Sequence, residues 1–238
     1  MIVKDFEKRY SPKSVSDIVF ADVSSKNRID DLVSGVKPFP IAQGKCGILL
    51  YGVPGTGKSA LAKLLPVAME MARSGEPPWL NYIRVQPGEN GMSMIEKIGN
   101  GAMYVPLSGM HNYYVLDEVD NLTTPAMNVL KSVMDTTSSV FILTTNKFQK
   151  IEIGVRNRCH CIPFNAAPNT GWLPLVQRIL GDHGISGVTN QQLLNVIATG
   201  KGSARDILDA TVDLILQVKR GQPQPTPTPT PTPTPVVV

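Results

Sequence analysis

Cysteine is scarce in this sequence of 238 residues, and the three that occur, Cys46, Cys159 and Cys161, form no C-x-x-C pair. A disulfide framework or a structural zinc site would need more cysteines at regular spacings, so the composition argues against both. We therefore expect a reduced, intracellular setting. The first residues lack the apolar core of a signal peptide, and no run of about 18 apolar residues occurs, which predicts a cytoplasmic protein without a membrane partner.

The sequence also lacks a large excess of positive or negative charge. The chain has 23 Lys and Arg against 19 Asp and Glu, a formal net charge of +4 at pH 7. An excess this small permits an anionic partner such as nucleic acid without indicating one. With 42% hydrophobic and 18% charged residues, the composition is that of a globular protein, and the chain is long enough for one domain and a small second one.

Core-forming residues are missing from the segment between Pro223 and Pro235, in which every second residue is proline. Such a segment cannot bury a core, and proline lacks the N–H group that helices and sheets use. We therefore predict that folded structure ends near Arg220. Residues 222–238 are predicted to form a disordered, extended tail rich in Pro and Thr.

Five short apolar runs alternate with helical patterns over residues 1–165. Such near-continuous apolar strands are typical of a parallel sheet covered on both faces, so the predicted fold class is α/β. From Pro168 to Arg220 only helical periodicity remains, which predicts a small three-helix lid domain over residues 166–221. The predicted strands are Gly47–Tyr51, Tyr82–Val85, Tyr113–Asp117, Val140–Thr145 and Cys159–Phe164.

Helix starts are marked by capping residues. Ser93 with Glu96, and Thr189 with Gln192, have the spacing of a capping box. Thr124 followed by proline predicts an N-cap with proline at the first helical position. Within the pattern that follows Ser59, proline at position 66 predicts that the helix kinks there or stops near residue 65.

The stretch GVPGTGKS, Gly52–Ser59, matches the pattern G-x-x-x-x-G-K-[ST] between a predicted strand and a predicted helix. Its glycines let the backbone surround phosphate groups with N–H donors at the positive end of the helix dipole. Lys58 is predicted to face the β- and γ-phosphates of ATP, and the Ser59 hydroxyl to bind Mg²⁺. The predicted nucleotide-binding residues of this loop are Gly52, Val53, Pro54, Gly55, Thr56, Gly57, Lys58, Ser59 and Ala60.

Polar side chains lie at the ends of the third and fourth predicted strands. Asp117 is predicted to hold the hydrated Mg²⁺, and Glu118 to orient the attacking water, because adjacent residues at a strand end point to opposite sides. Asn146 follows the strand FILTT and reaches the same edge of the sheet, where its amide can bond water and the γ-phosphate. A solvated acidic turn and a turn-forming asparagine are the alternative interpretations.

The stretch VRNRCHC, Val155–Cys161, has three possible roles: a metal site, a patch for nucleic-acid phosphates, or an arginine offered to another subunit's nucleotide. The remaining Cys and His residues are scattered singly, which argues against metal. Cys159 and Cys161 are predicted as core residues of the last strand, with His160 on its other face. Both arginines precede that strand, away from the chain's own phosphate loop, so they suit a neighbour's nucleotide.

The order of these motifs resembles that of the AAA+ ATPases, and within them the clamp-loader clade. The resemblance covers about Phe6 to Arg220 and depends on several motifs in the right order rather than on any one of them. The stretches that carry it are FEKRYSPKSVSDIVF, DEVDNLTTPAMNVLKSVMD, TTNKFQKIEIGVRNRCHCIPF and GKGSARDILD.

Roles for individual residues follow from this resemblance. It implies that Asn146 is sensor 1, that Arg205 is sensor 2 on the lid, and that Tyr10 and Pro12 lie near the adenine. It also implies a five-stranded sheet of order 5-1-4-3-2. Arg158 would be the arginine finger that reaches the γ-phosphate of the adjacent subunit.

One departure from the family affects the finger. Asn157 stands where the family usually has serine, which makes Arg156 the alternative to Arg158. A second departure is that clamp-loader subunits normally continue into a helical collar, whereas here the Pro-Thr segment follows. We therefore expect subunits to meet through the finger contact.

The function implied by the resemblance is that of an Mg²⁺-dependent ATPase in DNA replication. A ring of copies or of related AAA+ subunits would grip a sliding clamp and primer-template DNA with ATP bound, and hydrolysis would release both. Lys97 is a candidate contact to DNA phosphate, with a solvated lysine as the alternative. The alternative functions are a helicase loader or DNA-repair remodeller of phage or plasmid type, and an ATP-binding scaffold without turnover.

Overall fold

The computed structural model describes residues 6–41, 44–106, 108–136 and 138–221. Within these ranges the chain forms five strands and nine α-helices. The strands are β1 (Gly47–Tyr51), β2 (Trp79–Arg84), β3 (Asn112–Asp117), β4 (Ser139–Thr145) and β5 (Cys159–Pro163). The helices are α1 (Phe6–Tyr10), α2 (Val23–Val33), α3 (Lys58–Arg73), α4 (Met92–Ala102), α5 (Thr124–Val133), α6 (Ile153–Asn157), α7 (Asn169–Asp182), α8 (Asn190–Thr199) and α9 (Ala204–Lys219).

The strands form a single parallel sheet in the order β2-β3-β4-β1-β5. Counted from the other edge this is the order 5-1-4-3-2, so the predicted α/β class and strand order are confirmed. The bounds predicted for the second strand were wrong. β2 begins at Trp79 rather than Tyr82 and ends at Arg84 rather than Val85. Its first residues are exposed at the sheet edge, and they therefore lack the continuous apolar pattern that marks the buried strands.

The two faces of the sheet bury separate apolar clusters. Leu49 of β1 belongs to the cluster covered by α4, α5 and α6, whereas its neighbours Ile48 and Leu50 belong to the cluster covered by α2 and α3. This alternation follows from the two-residue period of a strand. Cys159 lies in the first cluster with Cys161 packed against it, and His160 contacts Phe39 of the second, which confirms their predicted faces.

Side chains cover the backbone of β5 at the edge of the sheet. Lys45 Nζ donates to the carbonyl oxygen of Cys159 at 2.6 Å, and Arg28 Nη2 donates to that of Cys161 at 2.8 Å. Ser25 Oγ donates to the carbonyl oxygen of Pro163 at 3.1 Å. These three bonds satisfy alternate carbonyl groups that an edge strand would otherwise leave unpaired.

Helices α7, α8 and α9 pack around a third apolar cluster that includes Trp172, Val176 and Ile207. Phe6 and Tyr10 of α1 belong to the same cluster, so the start of the described chain packs against this three-helix unit. The three predicted helices are present, while the domain boundaries near residues 165 and 221 stay predictions. The predicted tail, residues 222–238, lies outside the described residues.

Two of the predicted helix starts need correction. Helix α4 begins at Met92 with Gly91 as its N-cap, so Ser93 already lies in the first turn and the predicted capping box with Glu96 is wrong. The N-cap of α5 is Thr123, whose side chain accepts a hydrogen bond from the backbone N–H of Ala126, one residue before the predicted cap. In both helices the chain becomes helical earlier than the capping pattern suggests. The remaining capping box, at residues 189 and 192, is confirmed.

Pro66 does not end α3, so the prediction of a stop near residue 65 is wrong. The helix continues for seven residues beyond Pro66, through Arg73. Leu61, Leu65 and Met69 are fully buried against the sheet on either side of the proline. Their packing stabilises the helical path more than the missing hydrogen bond of Pro66 disfavours it.

Helix α3 is tied to β3 by the buried carboxylate of Glu70. It accepts hydrogen bonds from Tyr113 Oη at 2.8 Å, from Ser74 Oγ at 2.8 Å and from the backbone N–H of Met110. Burial raises the pKa of Glu70, but the donors at Met110, Ser74 and Tyr113 outweigh burial and hold that pKa below its ordinary value. The charged form of Glu70 therefore contributes to stability.

We expect Glu70→Gln to lower the free energy of unfolding by about 1 to 3 kcal/mol, since an amide cannot accept all three bonds. Because the folded-state pKa lies below the ordinary 4.5, the contribution is complete above pH 4.5 and is lost as pH falls through the folded value. Urea unfolding at several pH values measures this difference. The exposed Glu96→Gln is the control, and a difference that grows on acidification would contradict the assignment.

Candidate active site

A cavity of about 430 Å³ lies where the carboxyl ends of the central strands meet the three-helix unit. Residues from seven separate segments line it: α1 with the residues that follow, the loop after β1, the ends of β2, β3 and β4, and the two helices α7 and α9. The sequence-predicted residues that line this cavity are Tyr10, Pro12, Pro54, Gly55, Thr56, Gly57, Lys58, Ser59, Ala60, Glu118, Asn146 and Arg205. Their roles in binding and catalysis stay predictions.

The loop after β1 is shaped by glycines that no other residue could replace without strain. Gly52, Gly55 and Gly57 have φ angles of 146°, 80° and 100°. A Cβ atom at Gly52 would overlap the carbonyl oxygen of Phe164, and one at Gly55 would overlap Ser203 Oγ. Both the sheet and the three-helix unit therefore press against this loop, and only bare backbone fits between them.

Lys58 is a buried cation in the first turn of α3. Its Nζ donates to the carbonyl oxygens of Val53 at 2.6 Å and Gly52 at 3.1 Å, so the side chain folds back along the loop. Burial lowers the pKa of Lys58 to about 8, although Asp117 and Asp120 act in the opposite direction. An anion placed in the cavity would stabilise this charge.

Asp117 collects three hydroxyl groups at the end of β3. Ser59 Oγ donates at 2.7 Å, Tyr82 Oη donates at 2.8 Å and Thr144 Oγ1 donates to the same carboxylate. The hydroxyl and carboxylate oxygens of Ser59 and Asp117 are thus neighbours, and oxygen donors of this kind are what Mg²⁺ prefers. The residues present fit the predicted magnesium site.

Glu118 follows in the left-handed conformation, with φ 61° and ψ 47°. Its backbone N–H donates to Thr144 Oγ1 at 3.0 Å, and its carboxylate pairs with Arg84 Nη2 at 2.7 Å. Arg84 also lines the cavity and was not predicted from the sequence. Its register opposite Asp117 in the sheet is what places it here, and that register is not visible in the sequence. Arg84 therefore occupies one oxygen, Oε1, of the Glu118 carboxylate.

Two helices of the three-helix unit form the opposite wall. Ala204 and Arg205 of α9 lie at the cavity, and the backbone N–H of Ala204 donates to the carbonyl oxygen of Gly55 at 2.8 Å. Arg178 of α7 is a second cavity-lining arginine that was not predicted from the sequence. Tyr10 is buried, and its hydroxyl donates to Asp182 at 3.0 Å. This wall therefore adds two cations to the cavity and is hydrogen-bonded to the glycine loop.

Arg158 and Arg156 do not line this cavity. Arg158 forms an ion pair with Asp135, with Nη2 at 2.8 Å and Nε at 3.3 Å, and its Nη1 donates to the carbonyl oxygen of Gly154 at 3.2 Å. The guanidinium of Arg156 lies 5.0 Å from the ring centroid of Phe148. Neither arginine can serve the chain's own nucleotide from these positions. Within the described ranges, no three Cys, His, Asp or Glu side chains group as metal ligands.

Residues 48–164 match the family described as "ATPase family associated with various cellular activities (AAA)". The chain carries an AAA domain. The match begins in β1 and ends one residue after β5, so it spans the whole sheet together with the glycine loop and Asp117.

Several curated proteins that are similar to this chain in sequence are replication proteins. Replication factor C small subunit 2 of Pyrobaculum islandicum is 28% identical over 211 residues, which cover 86% of this chain and 61% of that protein. The replication factor C small subunit of Methanosarcina acetivorans is 28% identical over 76% of this chain and 54% of its own length. DNA polymerase III subunit gamma/tau of Mycobacterium tuberculosis is 23% identical over 70% and 32%. The chain thus spans less than two thirds of each of these relatives.

Solved structures share the fold. The RuvB Holliday junction branch migration motor of Thermotoga maritima has a TM-score of 0.65 at 15% identity, over 88% of this chain and 67% of that one. A point variant of the same RuvB reaches 0.68 at 14% identity, over 89% and 68%. The chain therefore has an AAA+ fold similar to that of RuvB, and its sequence is similar to those of replication factor C small subunits. None of its described helices is both long and apolar enough to cross a membrane.

We expect Gly55→Ala to weaken nucleotide binding at least about tenfold, since the new methyl group would push Ser203 and the glycine loop apart. Gly75→Ala is the matched control, because Gly75 has a similar φ of 74° but open space around it. Both variants should lose about 1 kcal/mol of stability from backbone strain. Titration with a fluorescent ATP analogue measures affinity, and equal affinities for the two variants would contradict the role of the Gly55 contact.

Proposed function

We propose that the chain is an ATP-hydrolysing subunit that loads a sliding clamp onto primer-template DNA, acting beside copies of itself or related AAA+ subunits. The observation that carries this proposal is the convergence of Lys58, Ser59, Glu118, Asn146 and Arg205 on one cavity, from parts of the chain far apart in sequence. AAA family membership implies ATP hydrolysis in general. The resemblance to replication factor C small subunits supports the choice of client.

The residues of the cavity divide the chemistry among them. The backbone of the glycine loop and Lys58 would bind the β- and γ-phosphates, as the helix dipole of α3 also favours. Ser59 and Asp117 would hold Mg²⁺, which supplies neutralising charge at the phosphates when bound. Glu118 would orient the attacking water once Arg84 has moved away, and Asn146 would bond the same water or the γ-phosphate.

A complete site needs a second copy. Arg158 lies outside the chain's own cavity, on the segment between α6 and β5, and we propose that it reaches the phosphates bound by the adjacent subunit. To do so it must exchange Asp135 for phosphate oxygens, since Asp135 occupies two of its donors. A finger of this kind is worth about 10³ to 10⁵ in rate, so hydrolysis should require association.

The surface for the clamp is proposed at the other end of the sheet. Met103, Tyr104 and Val105 follow α4 and are 81%, 73% and 80% exposed. Asn112 Nδ2 donates to the carbonyl oxygen of Tyr104 at 2.6 Å, which fixes this segment beside the start of β3, whereas the cavity lies at its end. Three consecutive exposed apolar side chains are suited to a protein partner. Lys97 is exposed on α4, and its contact with DNA stays a prediction.

We expect Arg158→Ala and Lys58→Ala to lose nearly all ATPase activity separately and to regain it when mixed. In the mixture an intact Lys58 of one chain can meet an intact Arg158 of the other, which holds for about a quarter of interfaces in a random assembly. Steady-state ATPase against protein concentration measures the recovery. Arg156→Ala in place of Arg158→Ala is the control for the alternative finger, and activity independent of both concentration and Arg158 would refute the shared site.

Replacing Met103, Tyr104 and Val105 together by serine should weaken clamp binding at least about tenfold, because the proposed contact is apolar. ATP affinity should be unchanged, since these residues do not line the cavity. Surface plasmon resonance with the clamp of the same replication machinery measures the effect. Val36→Ser, at a 77% exposed position elsewhere, is the control, and unchanged clamp binding in the triple variant would exclude this surface.

A further inference from the structure

A wide depression beside β5 is lined by positive charge. It has a volume of about 980 Å³, and four cationic side chains line it: Arg28, Lys37, Lys45 and Arg156. No carboxylate is present among the described residues that line it. We refer to these four residues as the basic surface. Its charge is not neutralised by the chain that carries it, because none of the four forms an ion pair within the described ranges.

Three of these cations are held in place by neutral groups. Arg28 and Lys45 donate to backbone carbonyl oxygens of β5, and Arg156 lies over the Phe148 ring. These contacts fix the positions of the side chains without cancelling their charge. An anionic partner would therefore meet a surface that loses little side-chain freedom on binding.

An opposite charge pattern lies on α9. Asp206, Asp209 and Asp213 are all exposed, and their spacing of three and four residues places them along one side of the helix. None of them forms an ion pair within the described ranges. We refer to these three residues as the acidic stripe.

We propose that the acidic stripe of one copy docks on the basic surface of the next. The two surfaces lie on different parts of the chain, so the contact is heterologous and can repeat around a ring. It rests on the proposed function, and it also explains how a shared site could form. The stripe is on the helix that presents Arg205 to the cavity, and the basic surface includes Arg156, two residues before Arg158. Docking would bring the cavity of one copy to the finger segment of its neighbour.

The test reverses charge on one surface at a time in the full chain. Asp209→Lys with Asp213→Lys alters the stripe, and Lys37→Glu alters the basic surface; these three residues do not line the nucleotide cavity. Each variant should need about tenfold more protein for half-maximal assembly, because like charges would then face each other. Sedimentation velocity with a non-hydrolysable ATP analogue measures assembly, and ATPase against concentration follows its effect on turnover. Glu76→Lys, at another exposed carboxylate, is the control and should assemble normally.

Mixing the two altered chains provides the decisive result. The unaltered acidic stripe of the Lys37→Glu chain can meet the unaltered basic surface of the other chain, and that contact is the wild-type one. Mixed dimers should therefore form in the wild-type concentration range, whereas neither altered chain alone should form dimers there. Reversed variants that assemble like wild type would overturn the docking contact, while loss of activity in Arg158→Ala would still support the shared site. If charge reversal weakens assembly but the wild-type chain has no ATPase activity, the docking contact is supported and the proposed function is refuted. A Lys37→Glu variant that loses DNA affinity but assembles normally would overturn the contact in favour of a nucleic-acid surface.

Discussion

The geometry of the cavity depends on the hydrogen bonds that the carboxylate of Asp117 accepts. A buried charge is stable only when donors surround it, and Asp117 obtains them from Ser59, Tyr82 and Thr144. These residues belong to α3, β2 and β4. One carboxylate therefore fixes the start of the helix after the glycine loop relative to two strands, and Lys58 and Asn146 are positioned through the same elements.

Two of the predicted reacting groups are held by partners within the chain. Arg84 pairs with Glu118, and Asp135 pairs with Arg158. Both pairs are partly exposed, so water screens them and neither costs much to separate. In the proposed hydrolysis, Glu118 and Arg158 would each have to exchange this partner before acting. Phosphate brought by a neighbour could compete for Arg158 because it offers the same kind of bidentate acceptor as a carboxylate.

The sequence predicted the fold where its local pattern is strong. The apolar runs correctly predicted β1, β3, β4 and β5, and the motif at Gly52–Ser59 correctly predicted the glycine loop. Both features are determined by residues adjacent in sequence, so the sequence alone can reveal them. Arg84 and Arg178 were missed since they reach the cavity through strand register and helix packing. The prediction for Ser93 failed because Gly91 starts the helix earlier without any side-chain cap. The strand order itself came from the family resemblance, and apolar patterns could not have supplied it.

The covered edge of β5 has a consequence for how copies of this chain can associate. With its alternate carbonyl groups already bonded to Lys45, Arg28 and Ser25, this edge offers little to a strand from another molecule. The sheet is closed to growth on that side, so fibre-like stacking through main-chain pairing is disfavoured there. Any neighbour must bind through side chains, whose contacts break and re-form without unfolding either partner, as repeated cycles of joining and parting would demand.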